Sequence, residues 1–157
     1  MKLIELLPKE AVVEGLGAKD KKGALKALVE ALRASRKPPR PKLEPILRAL
    51  VQRESIGTTG IGGGVALPHA KIEGIPSIMG AFGRLSTGLD WGAVDGERVD
   101  LVFVLVSPAS DPNLHLAALQ RLNRGIRLPN MARFLRAAKS AREISDLFRE
   151  MDEAVGG

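Results

Sequence analysis

The six residues Leu101 to Val106, LVFVLV, are apolar without a break. Successive side chains of a strand point to opposite faces, so a strand covered on one face only alternates apolar with polar residues. An unbroken run therefore predicts a central strand buried on both faces, and such a sheet needs helices layered over it. The rest of the chain supplies them. Lys21 to Ala34 carries Leu25, Leu28, Val29 and Leu32 on one helical face. Leu43, Ile46, Leu47, Leu50 and Val51 form a second stripe at helical spacing, ending near Arg53 and Glu54, and Pro45 is tolerable there only in the first turn. Between the two stripes Ser35 to Pro41, SRKPPRP, holds three prolines and reads as a rigid surface connector. It is not a domain boundary, because neither side alone has enough sheet to fold.

Further along, the pattern shifts to short apolar segments. Val65 to Ala70, Ser77 to Leu85 and Val99 to Val106 read as strands, divided by Gly74 to Pro76 and by the turn-rich Ser86 to Gly96. Asp111 and Pro112 look like the N-cap and first residue of a helix running to about Ile126. A short helix around Asn130 to Ala138 follows. The last helix opens on a capping box, Ser140 with Glu143, and buries Ile144, Leu147, Phe148 and Met151. The amino terminus offers a short LIELL lead and a strand or turn at Ala11 to Val13. The expected fold is a single α/β domain over residues 1–157, a β-sheet flanked by α-helices.

A chain of 157 residues can bury a sufficient core without disulfides, and this one has no cysteine. Aromatic residues make up only 3%, with no tyrosine, so the core is aliphatic and aromatic stacking is not its binding device. No apolar run approaches the roughly 18 residues needed to cross a bilayer, and no secretory leader is visible. A cytoplasmic location without membrane insertion is expected. The net charge is +6, concentrated in Arg33 to Lys42 and Arg121 to Arg142. These stretches read first as solvated faces and a loop, and second as a surface for an acidic protein partner. Nucleic acid is not expected, since aromatic interleaving, zinc spacing and known binding motifs are all missing.

The chemistry must come from few residues, because the chain has two histidines. His69 closes Gly60 to Ala70, GIGGGVALPHA, a glycine-dense loop passing into a short apolar run. A glycine-rich loop alone can be only a turn. One that ends on a histidine, with Arg53, Thr58 and Thr59 before it as anion donors, has the parts of a site that handles a phosphoryl group on imidazole. Gly62 and Gly63 would bring backbone N–H groups to the phosphate. Transfer of that kind proceeds by positioning and charge stabilisation and requires no metal or cofactor. His115 lies in the first turn of its helix or just past it and shares a face with Leu119, Leu122 and Ile126; taken alone, such a residue is more often a core histidine. A zinc site with both histidines and Glu54 or Asp111 as third ligand is an alternative, weakened by the lack of a close helical pair.

Glu54 to Ala70 also carries a resemblance. An acidic residue, six variable positions, an apolar residue and a glycine, then two variable positions before an apolar-Ala-apolar-Pro-His-small run, is the pattern of the type-2 EIIA domain of the bacterial phosphoenolpyruvate-dependent phosphotransferase system, mannitol/fructose-type and nitrogen-regulatory. The chain resembles that family nearly throughout, including LIELL, GLDWGAVDGERVDLVFVLVSP and HLAALQRL. The resemblance implies a mixed sheet flanked by helices and a phosphoryl group accepted by His69. His115 stabilises or orients it, Arg53 is the active-site arginine, and Thr58 lies where a hydroxyl commonly lines the pocket. It implies HPr or an HPr-like phosphocarrier as donor, and a IIB domain or regulated target proteins as recipients. Gly64 extends the glycine run where many members carry a larger or polar residue, which implies a more mobile loop. With no membrane segment or second domain in the sequence, regulation of the nitrogen type is favoured over a sugar-uptake component. A module that keeps the fold without the chemistry is the remaining alternative.

Overall fold

The computed structural model describes residues 1–156. At its centre β6 (Val99–Pro108) divides its side chains between two cores. Val102, Val104 and Val106 pack against α2 (Lys21–Ala34) and α3 (Leu43–Ser55). Leu101, Phe103 and Leu105 pack on the other face, with α1 (Leu3–Leu6), α4 (Pro112–Ile126), α5 (Met131–Ala137) and α6 (Ala141–Val155). All six are at most 1% exposed, which is why the run carries no polar position.

The sheet is mixed, with strand order β1-β5-β6-β3-β2. β5 (Met79–Leu89) runs antiparallel to β6, and β1 (Val12–Leu16) lies parallel to β5 on its far side. On the other side of β6, β3 (Val65–Ala66) and β4 (His69–Ile72) pair with it in parallel, one after the other, and β2 (Gly60–Gly62) pairs antiparallel to β3. The expected α/β domain, with helices on both faces of the sheet, is the fold observed.

Several local expectations change. Val65 to Ala70 is not one strand, because Pro68 has no N–H to donate; its carbonyl still accepts from Leu105 N at 3.0 Å, so the line along β6 continues past the break. β5 extends to Leu89 through residues expected to be turn, with its register against β6 shifting between Arg84 and Leu89. Ser86 and Thr87 are polar because that end of the strand is exposed. The LIELL lead forms a short helix, and a 3-10 turn at Lys9–Ala11 precedes β1. At α6 the Ser140 hydroxyl accepts from Glu143 N at 3.1 Å, whereas the Glu143 carboxylate reaches Lys139 N and not Ser140 N.

One basic residue is misplaced by a reading from charge alone. Arg121 is not on a solvated face: it forms a buried ion pair with Asp152 at 2.9 Å. Asp152 also accepts from Leu3 N at 2.8 Å and Ile4 N at 3.1 Å, serving the free N–H groups of α1. One carboxylate thus ties the first, fourth and sixth helices together. No helix among the described residues is long and apolar enough to cross a membrane.

Candidate functional site

The last turn of α3 gives neighbouring residues opposite tasks. Glu54 turns inward, accepts from Thr59 N at 2.9 Å and from the Thr59 hydroxyl, and pairs with Lys21 at 3.2 Å. Trp91 Nε1 donates to the same hydroxyl at 3.3 Å, so Thr59 is fully engaged within the protein. Arg53 stays at the surface, where its Nη1 donates to Gly57 O at 2.8 Å. It lines a cavity of about 350 Å³ together with Thr58, Thr59 and His69. Thr58 accepts from Gly60 N at 3.1 Å, which places its hydroxyl at the bend leading into β2.

The glycine-dense stretch is a β-hairpin packed on protein. A Cβ at Gly60 would stand 2.7 Å from Cβ of Ala93, and Gly62, Gly63 and Gly64 have φ of 100°, 67° and 80°. Gly63 N donates to Asp95 at 2.9 Å and Gly63 O accepts from Arg136 at 2.6 Å; Gly64 O accepts from Asp100 N and Leu101 N, each at 3.0 Å. The hairpin is therefore tied down at its tip, unlike the mobile loop that the extra glycine implied. Gly62 and Gly63, expected at the phosphate, do not line the His69 cavity.

His69 opens β4, directly across from Leu105 on β6. In a parallel pair, residues opposite one another point to the same face, so His69 faces the side of the sheet covered by α4. Its Nδ1 donates to Leu67 O at 2.7 Å, which leaves Nε2 with its lone pair facing outward. Burial lowers the pKa of the ring; the Leu67 carbonyl opposes that shift, and the Arg53 charge adds to it.

His115 lies one turn into α4. The Asp111 carboxylate caps that helix by accepting from Leu114 N at 3.1 Å, as expected from Asp111-Pro112. The ring of His115 lies 5.5 Å from that of His69 by centroid and is tilted 47° to it. Its Nδ1 is 2.6 Å from the Ser107 hydroxyl, in the interior. Burial, then the charges of His69 and Lys71, depress its pKa to about 4. Both imidazoles are neutral at neutral pH.

The structure thus brings Arg53, Thr58, Thr59, His69 and His115 together. Reading the sequence missed Ser107, buried at the end of the apolar run, and Lys71, two residues beyond His69 on the same face of β4. It also missed Gln120, Asn123 and Arg127, which contribute α4's wall of the cavity. The available clue to that wall was a polar stripe at helical spacing downstream of His115. The zinc alternative lacks its third ligand: Glu54 is held by Thr59 and Lys21, and Asp111 by the N-terminus of α4.

A neutral imidazole with one free nitrogen, beside a guanidinium and a second imidazole, is a constellation for receiving an anionic electrophile. Residues 5–151 match the family model for the phosphoenolpyruvate-dependent sugar phosphotransferase system, EIIA 2. The chain belongs to this family. This EIIA domain is 38% identical over 144 residues to a nitrogen regulatory protein of Bradyrhizobium diazoefficiens, covering 92% of each chain. Among solved structures it is similar to the nitrogen regulatory protein IIA-Ntr of Neisseria meningitidis, with a TM-score of 0.85 and 27% identity over 93% of this chain and 98% of that one. It shares its fold with the Escherichia coli complex of enzyme IIAMtl and phosphorylated enzyme IIBMtl, with a TM-score of 0.72 and 16% identity over 92% and 97% of the two chains.

Proposed function

We propose that this EIIA domain is a phosphocarrier that takes a phosphoryl group onto Nε2 of His69 from an HPr-type donor and holds it as a regulatory signal of the nitrogen type. The observation that carries the reading is the Nδ1 contact to Leu67 O at 2.7 Å, beside the His115 ring at 5.5 Å. In the transfer, the Nε2 lone pair of His69 forms the new N–P bond while the donor's P–N bond breaks and its electron pair returns to the donor nitrogen. No proton has to move, since Nδ1 keeps its hydrogen on the Leu67 carbonyl. Arg53 and Nε2–H of His115 meet the charge that builds on the phosphoryl oxygens. The product is a phosphoramidate, labile enough to pass its group onward.

The regulatory role is supported by the relative from Bradyrhizobium diazoefficiens, a nitrogen regulatory protein matched over 92% of its own length. A sugar-uptake component is the second reading, favoured by the 32% identity to the fructose-specific EIIABC component of Bacillus subtilis, of which this chain spans 24%. In either role the domain works in the cytoplasm, with a IIB domain or a regulated target as recipient.

Incubation with radiolabelled phosphoenolpyruvate, enzyme I and an HPr-type carrier should label wild type with acid-labile, base-stable phosphate and leave His69→Ala unlabelled. Unlabelled wild type with an active donor overturns the phosphocarrier reading. Capture with phosphorylated and unphosphorylated protein then separates the roles, a IIB domain marking uptake and a non-transport protein marking regulation.

A further inference from the structure

The proline-rich connector Ser35 to Pro41 plays no part in the chemistry of His69, yet it walls a sizeable cavity. It is held in place by Arg33 Nε, which donates to Pro41 O at 2.6 Å, and by Arg40 Nε, which donates to Arg36 O at 2.9 Å. Opposite it runs the loop that follows β4. Between the two lies a space of about 600 Å³, with Ile46, Ile72, Ile75 and Met79 among its lining. That volume is typical of a site for a small organic ligand.

Its charge is one-sided. Arg36, Lys37, Arg40 and Lys42 line it, against a single carboxylate, Glu73, and none of the five is in an ion pair among the described residues. Lys42, just before α3, and Pro45 and Ile46 in its first turn are part of the lining, and the N-terminus of α3 has no side-chain cap. Arg36 is the deciding residue. Its Nε and Nη2 have no acceptor among the described residues and are shut off from solvent, so a ligand in the cavity takes them only after the side chain rotates. Burial lowers the pKa of this guanidinium, the response of a charge left without a counter-charge. Buried donors in folded proteins are almost always paired, and a planar guanidinium is shaped to grip phosphate through two nitrogens at once.

We propose that this cavity binds a phosphorylated small molecule of nucleotide size, with its phosphates on Arg36, Arg40 and Lys42 and its less polar body over Ile46, Ile72 and Met79. The site is separate from the phosphoryl-accepting centre. Ile72 packs into the core beneath α2 and α3, whereas His69 faces α4. The two residues bound the four-residue strand β4, so their backbones lie about 10 Å apart at ordinary strand rise. The proposal is therefore independent of whether His69 carries phosphate.

Calorimetric titration of the full chain with ATP, pyrophosphate and adenosine, at physiological salt, tests it. ATP is expected to bind one to one, pyrophosphate about tenfold more weakly and adenosine more weakly still. Arg36→Ala should weaken ATP binding by about tenfold or more, and Arg36→Lys should fail to restore it, because an ammonium cannot grip through two nitrogens. Arg40→Glu, at an exposed position, should weaken it similarly, while His69→Ala leaves it unchanged. Absence of saturable ATP binding up to millimolar concentration overturns the proposal. So does binding indifferent to both arginine changes, pyrophosphate binding as tightly as ATP, or a preference for polyglutamate, which would mark an acidic-protein surface instead.

Discussion

The Ser107 hydroxyl and Nδ1 of His115 are 2.6 Å apart, in a part of the protein closed to water. If the hydroxyl donates, Nε2 of His115 carries the ring's hydrogen and becomes a donor toward the group on His69. The opposite arrangement would point a lone pair at a phosphate. With the hydroxyl as donor, Ser107 would be a positioning residue, acting through the tautomer of His115. Ser107→Ala should slow phosphoryl transfer to His69 by about tenfold and destabilise the fold by about 1–3 kcal/mol, since Nδ1 is left buried without a partner. Nitrogen NMR of His115 is the decisive readout. A tautomer unchanged from wild type removes the positioning role.

The same logic sets the response of His69 to acid. Its pKa is lowered, by burial first, and Arg53 contributes to that lowering. The neutral, nucleophilic ring should therefore persist below the usual histidine value of about 6.5, and the labelling rate should fall only at more acidic pH. Arg53→Gln removes one of the lowering charges and a donor to the phosphoryl oxygens. The acidic limb of the rate profile should move upward in pH, and the plateau should drop by about 10²-fold. Rates measured from neutral pH into the acid range check both effects. A lower plateau with an unmoved limb would show that Arg53 acts on the phosphate alone.

His115 adds a stability term of definite sign. Its native pKa is about 4, while in the unfolded chain it returns to about 6.5, so between these values the unfolded state binds the proton that the native state refuses. Its contribution is complete above pH 6.5 and is lost as pH falls toward 4, to a total of roughly 3 kcal/mol. Urea midpoints taken across this interval should decline, and His115→Gln should flatten the decline. An equal decline in the variant would assign the acid sensitivity to other groups.

Asp152 is expected to matter more to stability than any surface charge. It serves Arg121 at 2.9 Å and the N–H groups of Leu3 and Ile4, all with little access to water. Asp152→Ala strands a buried guanidinium and uncaps α1, at a cost of about 3–5 kcal/mol. The exposed pair Arg149–Asp146, broken by Asp146→Ala, should cost less than about 1 kcal/mol. Parallel urea denaturation of the two variants reads the contrast.

How much of this was legible beforehand depends on the range over which each feature is decided. α2 and α3, the caps of α4 and α6, and the buried central strand all follow from spacings within a single element, and the sequence displays them. What Thr59 and Gly63 bond to was not legible, for the reason that makes loops hard. A hydroxyl or an N–H near a histidine in sequence can equally be spent on the protein, and only the positions of Glu54, Asp95 and Arg136 show that these were. Arg121, read from charge as surface, is buried because its partner stands on another helix.

The order of residues by itself determined that there is a two-sided sheet, that His69 ends a glycine-dense turn, and that the chain carries the pattern of its family. Tertiary structure decided that His69 and His115, 46 positions apart, share one site. The cause is the parallel pairing of β4 with β6, which sets His69 across from Leu105 and places the strand's exit, Ser107 and the first turns of α4 beside it. Side-chain periodicity reports which face a residue takes within its own element. Which elements become neighbours is settled only when the whole core closes, and so Ser107, Arg127 and the unpartnered Arg36 came to light only in three dimensions.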